Sequence, residues 1–256
     1  MNIITEIFII QSLKTIDIYK SGLELAQKLK GSIATTLTNV ETKAELFDQI
    51  EKIKAQVTGT KAKYVIHFDC HGNEDGIGIF DKFDNSEFVI WEDFRLVFRE
   101  IYTNTLTRPI ISFSTCKGFN VMKLLAAFEP CPYDVITGSL IEIPFGDSVA
   151  AYFDFYTNIN NGMDFAQNIK EIRDTYPKVN FIAVSSELLF LMAWEAYFKT
   201  QLTPEVLKVR KAHIIAEVEA KTKRPLTALQ LAMLEKGLSQ GQASEDYRRF
   251  RDKFYS

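Results

Sequence analysis

Residues 64–72 read YVIHFDCHG, and residues 110–119 read IISFSTCKGF. These two stretches decide the fold. Each opens with a short run of β-branched and aromatic residues and closes on small or polar ones. Such runs are too short for a helix and suit strands buried on both faces of a parallel sheet. In parallel α/β sheets, side chains that do chemistry gather at the carboxyl ends of strands. Two adjacent strands would bring His71 and Cys116 together, although 45 positions separate them in sequence.

Working outward, apolar runs alternate with helical patterns, as α/β proteins require. Ile7–Ile10 and Ile33–Leu37 read as earlier strands, with a helix between them whose apolar face would carry Tyr19, Leu23 and Ala26. Leu46, Ile50, Ile53 and Val57 form an amphipathic helical stripe before the third strand, Tyr64–Phe68. Two apolar runs flank Asp81–Ser86 and predict a hairpin. Phe94, Val97, Phe98 and Ile101 mark the next helix, and Pro109–Phe113 the fourth strand. Val121, Leu124, Leu125 and Phe128 repeat at helix spacing. Asp134–Thr137 begins a fifth strand. Helices around Val149–Tyr156 and Phe165–Ile172 lead to a sixth, Phe181–Val184. Beyond Ser186 the pattern is helical, with Thr203-Pro204-Glu205 a good helix start and Pro225 and Gly241 dividing the tail. The organisation expected is a domain over 1–198 and a helical extension over 199–256.

Composition sets limits. At 256 residues, 46% hydrophobic and 25% charged, the chain can bury an ordinary core. Leu188–Trp194, the most apolar stretch, falls far short of a membrane span, and MNIITEIFII lacks the basic flank of a signal peptide. Three cysteines, Cys70, Cys116 and Cys131, are an odd number that suggests reduced thiols and a cytoplasmic setting. Residues 199–256 hold twelve Lys or Arg against seven Asp or Glu, whereas the preceding residues hold eighteen against twenty-six. The tail's basic residues are interleaved with acids, which fits packing on the acidic body better than contact with a partner or nucleic acid.

His71 and Cys116 are a workable catalytic pair. A thiol becomes a strong nucleophile only as thiolate, and an imidazole can take its proton and later protonate a leaving amine. A helix after Cys116 would favour the thiolate, Gly118 would let a substrate backbone approach, and backbone N–H groups near Gly72 would stabilise an oxyanion. Cys70 and Cys131 read as buried small hydrophobes and His67 as structural. His67 and His71 have the spacing of zinc ligands on a helix, but the segment reads as a strand, and no metal or cofactor is expected. HGNEDG does not fit the calcium-loop pattern, and no phosphate-binding glycine motif occurs.

The strings HFDCHG and SFSTCKG resemble the two catalytic blocks of caspase-like cysteine peptidases, especially the bacterial CHAT type. Their His-to-Cys spacing is also similar. A third block, residues 135–173, VITGSLIEIPFGDSVAAYFDFYTNINNGMDFAQNIKEIR, is similar to the region that follows the next strand in that family. The resemblance covers about residues 60–185. It implies a caspase-homology fold, with a mostly parallel six-stranded sheet flanked by helices. It implies His71 as base, Cys116 as nucleophile and Gly72 at the oxyanion hole. Asp147 would match an acidic position after the fifth strand, although IEIPFG departs from the usual pattern. By the same analogy Glu142 or Asp147 would line a pocket for Arg or Lys before the scissile bond. A regulatory protein or small-molecule activator, and a role in bacterial antiviral defence, are implied too. Two other functions share these residues: a catalytically silent scaffold of the same fold, and an acyl transferase using the same dyad.

Overall fold

The computed structural model describes residues 4–104, 107–124, 130–238 and 243–255. The chain divides into two compact units, one formed by 1–125 and 131–186, the other by 126–130 and 187–256. The boundary expected at 198 therefore falls earlier, at Ser186.

The first unit is built on a mixed, mostly parallel sheet. Its strands are β1 (Ile4–Ser12), β2 (Ala34–Asn39), β3 (Lys63–Gly72), β6 (Ile110–Phe113), β7 (Val135–Gly138) and β8 (Ile182–Ser185), in the order β2-β1-β3-β6-β7-β8. All neighbours on this path are parallel except β7 and β8, which are antiparallel. The hairpin expected around Asp81–Ser86 is present as β4 (Gly76–Phe80) and β5 (Ser86–Ile90), and it extends the end of β3.

Strand alternation sorts the core into two layers. Ile7, Ile9 and Val65 pack with α1 (Ser21–Leu29), α4 (Phe145–Asn160) and α5 (Phe165–Thr175), among Leu25, Val149, Tyr152, Phe155 and Phe181. The opposite face meets α2 (Lys43–Val57) and α3 (Trp91–Asn104). There Phe68 stacks on Phe113 at 4.8 Å and meets Phe94 edge-on at 5.4 Å. The stripe Leu46, Ile50, Ile53 and Val57 is the buried face of α2, as its spacing predicts.

Helix α1 departs from its sequence reading. Its buried positions are Ser21, Gly22, Leu25 and Leu29, whereas Leu23 is 43% exposed and Tyr19 precedes the helix. A tertiary contact sets this phase. The buried Asp69 carboxylate accepts from Ser21 Oγ at 2.8 Å and from the Gly22 N–H at 2.6 Å, which fixes where the helix starts.

The second unit holds α6 (Ser186–Gln201), α7 (Pro204–Thr222), α8 (Ala228–Gly237) and α9 (Ala243–Tyr255). Phe190 and Trp194 of α6 meet Tyr247 of α9 at ring distances of 5.4 and 5.2 Å. These rings tie α6 to the tail and explain why the boundary precedes it. Thr203 caps α7 by accepting the Val206 N–H, and Thr227 with Gln230 forms a capping box on α8.

Candidate active site

His71 lies near the end of β3, and Cys116 follows the end of its neighbour β6. β3 and β6 run parallel with Phe68 opposite Phe113, and the Ser114 N–H continues the ladder to the Phe68 carbonyl at 2.9 Å. The ladder ends there, and Cys116 lies two residues on, in the turn that leaves β6. Gly72 gives independent evidence of closeness. A Cβ built on it would lie 2.9 Å from the Cys116 carbonyl oxygen and 2.6 Å from Thr115 Oγ1. The chain turns sharply at this point: Lys117 has φ 57°, a left-handed conformation that costs a non-glycine residue about 1–2 kcal/mol. Hydrogen bonds from the Lys117 N–H to Ile141 O at 3.1 Å and from the Phe119 N–H to Ser139 O at 2.9 Å hold it there.

The backbone of Gly72 is aimed at the site. In a strand, successive residues direct their N–H and C=O to opposite edges. Phe68 directs its C=O to β6, so Gly72, four residues on, faces the same edge. Pairing agrees: the Asn73 N–H bonds Gly76 O at 2.9 Å, which makes Gly72 and Ile77 a non-hydrogen-bonded pair of the hairpin.

The structure adds a residue that the sequence reading missed. Asp17 Oδ2 lies 2.7 Å from His71 Nε2, with the Asp17 side chain only 15% exposed. The loop between β1 and α1 that carries it is held at several points. The Lys14 N–H donates to Asp17 Oδ2 at 2.8 Å, and Lys20 Nζ donates to Lys14 O at 2.6 Å. Asp84, at the tip of the β4–β5 hairpin, accepts the Thr15 N–H at 2.6 Å and Thr15 Oγ1 at 2.7 Å. The His71 ring lies edge-on to Phe80 at 5.5 Å and to Phe145 at 6.0 Å. With Nε2 on Asp17, Nδ1 is the imidazole nitrogen left to exchange a proton with a thiol. The only sequence signal was an acid in the loop after the first strand, between Ile16 and Ile18.

The other thiols differ from Cys116. Cys70 and Cys131 are buried, and Cys116 is partly exposed. Burial pushes the Cys70 thiol well up and the Cys131 thiol up to about 11, so neither forms thiolate readily near neutrality. Two expectations are corrected. Gly118 makes no room for a ligand, because a Cβ there would lie 2.7 Å from both Phe113 Cβ and Thr115 Oγ1; its smallness serves packing. The segment after Cys116 is a 3-10 helix over Gly118–Leu124. The positions of Leu125 and Phe128 lie outside the described residues.

The two acidic candidates separate. Glu142 is exposed and acts on Lys117, whose ammonium is bound by Glu74 at 2.5 Å and held above its ordinary range chiefly by that bond. Asp147 lies in the first turn of α4, and its field reaches Tyr176, whose hydroxyl donates to Asp154 at 2.5 Å. Glu142 is the acid on the β7–α4 loop, whose Ile141 carbonyl holds the Lys117 N–H.

Two buried groups on β3 titrate in opposite senses. His67 is 1% exposed, its Nδ1 2.8 Å from the Tyr156 hydroxyl, and burial lowers it from 6.5 to about 3. Burial also pushes Asp69 from 3.8 to about 6, partly offset by Ser21 and Gly22. His67 stays neutral when folded, so its contribution to stability is present above pH 6.5 and is lost as pH falls toward 3. Asp69 keeps its proton longer when folded, so its contribution is present below 3.8 and is lost as pH rises through 6. Between these values the two slopes oppose each other. Asp69→Asn should leave the His67 slope alone, so that stability falls on acidification from pH 6 to 4 by up to roughly 1.4 kcal/mol per unit more than in the wild type. Urea midpoints at several pH values would check this; parallel wild-type and variant curves would contradict it.

No family model matches this chain, and no curated protein matches it significantly. The functional reading therefore rests on the site's own geometry.

Proposed function

We propose that this chain is a caspase-like cysteine endopeptidase with Cys116 as nucleophile, His71 as base and Asp17 as the group that orients His71. The observation that carries this reading is the closeness of Gly72 to the Cys116 carbonyl. It brings a His-Gly strand end and a partly exposed thiol together at the carboxyl edge of one sheet. The resemblance of HFDCHG and SFSTCKG to caspase-like blocks supports it, as does the mostly parallel α/β sheet.

The chemistry follows from the geometry. His71 takes the Cys116 proton, and the thiolate attacks a peptide carbonyl. The carbonyl oxygen becomes an oxyanion facing the Gly72 N–H. The C–N bond then breaks as imidazolium returns its proton to the departing amine. Water, deprotonated by His71, adds to the thioester and releases the acid and the thiol. Asp17 keeps Nε2 engaged throughout and offsets the imidazolium charge. Glu142, on the loop whose Ile141 carbonyl holds the Lys117 N–H, is the acid assigned here to a pocket for Arg or Lys before the scissile bond. A protein or peptide substrate, a regulatory partner or small-molecule activator, a cytoplasmic setting and a role in bacterial defence complete the proposal by resemblance alone.

The test is labelling by a peptide electrophile that traps thiolates. Peptide mapping should find adduct on Cys116 and none on Cys70 or Cys131, and His71→Ala should slow labelling about ten- to a hundredfold. A rate independent of His71 would favour a silent scaffold of the same fold.

A further inference from the structure

Leu23 is a large apolar side chain left 43% exposed on the first turn of α1. With Leu13, Leu37, Val40 and Phe80 it lines a groove of about 370 Å³. Leu13 follows β1, Leu37 lies on β2 and Val40 follows it, so the groove opens at the carboxyl ends of these two strands. Phe80 belongs both to the groove and to the surroundings of His71, whose ring it meets edge-on at 5.5 Å. The order β2-β1-β3-β6 thus lines up three features along one sheet edge: the groove, then His71, then Cys116.

The chemistry gives this line a direction. The acyl half of a cleaved peptide stays on the sulfur, and the amine half departs with a proton from His71. The departing segment must therefore leave on the His71 side of Cys116, toward β1 and β2. Neighbouring strands stand about 4.8 Å apart, which puts the groove roughly 10–12 Å from Cys116. An extended peptide covers that distance in about three or four residues at ~3.3 Å each.

The geometry points to this groove as a subsite for a large apolar side chain, such as Leu, Met or Phe, three or four residues beyond the scissile bond on the departing segment. The assignment rests on the peptidase reading and names the substrate class that the reading leaves open. Leu13, Leu23, Leu37, Val40 and Phe80 give the groove its apolar surface, beside Lys20, Glu41, Asp81 and Lys82, and exchanging a bulky apolar side chain for a small polar one there should change kcat/KM about tenfold.

The experiment compares internally quenched peptides that carry Arg or Lys before the cleaved bond and differ only in Leu or Ser at the third and fourth positions after it. A fluorogenic amide that ends at the cleaved bond is assayed alongside. The expected result is about tenfold higher kcat/KM for the Leu peptides, with the ratio collapsing toward one in Leu23→Lys, a change at an exposed position. Equal cleavage of Leu and Ser peptides by the wild type, with the short amide also hydrolysed, would overturn the subsite and leave the peptidase reading standing. Failure to hydrolyse any of these substrates, with no labelling of Cys116, would overturn both.

Discussion

Replacing His71 with alanine is expected to lower kcat/KM for peptide hydrolysis about a thousandfold or more, and Asp17→Asn about a hundredfold, with KM little changed in both. The two numbers differ because the roles differ. Without His71 no group is placed to take the thiol proton or to protonate the leaving amine, and general acid–base catalysis alone contributes about 10²–10⁴. Asp17 touches no reacting atom. It holds Nε2 at 2.7 Å, so that Nδ1 is the nitrogen left for proton exchange and the imidazolium has a partner. Asparagine keeps the size of the side chain and can still accept the Lys14 N–H, but it brings no negative charge to the imidazolium. A fall in kcat at constant KM, with thermal stability within about 1 kcal/mol of wild type, would mark Asp17 as a positioning residue. Full activity of Asp17→Asn would remove it from the mechanism.

Gly72→Ala is the second large effect. The added methyl would sit 2.6 Å from Thr115 Oγ1 and 2.9 Å from the Cys116 carbonyl oxygen. The threonine can rotate away, but the carbonyl is backbone, tied into a turn that Ile141 and Ser139 also hold. The nucleophile's loop must therefore shift. A misplacement on the order of 1 Å costs about a hundredfold in rate, and overpacking costs about 1–3 kcal/mol of stability. The expected outcome is a loss of kcat/KM near a hundredfold with a folded protein whose melting point falls by several degrees. Adding Thr115→Ala should not restore activity, because the clash with the Cys116 carbonyl remains. Kinetics and thermal melts on the single and double variants check both points; recovery in the double variant would show that the side chain alone was the obstacle.

Strands β1, β3, β6 and β7 were legible in the sequence because they are largely buried and so read as apolar runs, whereas the half-exposed, Thr-rich β2 left a weaker trace. The hairpin was legible from turn residues between two such runs. Helix α2 was legible because one face meets the core and the other faces water. Helix α1 was misread: Leu23 fits an apolar stripe, but a buried hydrogen bond from the Gly22 N–H to Asp69, 47 positions away, sets the helix start. The division expected at 198 and the contact division at Ser186 differ by α6, which is apolar on most faces, so that periodicity cannot say which neighbour it joins.

The sequence by itself determined the α/β class, the inert burial of Cys70 and Cys131 and the candidate standing of His71 and Cys116. Each of these depends on local pattern and residue chemistry. Tertiary structure alone decided that Asp17 reaches His71, that the loop carrying Glu142 bonds the turn after Cys116, and that a groove lies at the ends of β1 and β2. These facts depend on which strands become neighbours and where their loops fold back. Contacts between residues tens of positions apart leave no periodic trace, since chain spacing constrains distance only over a few residues.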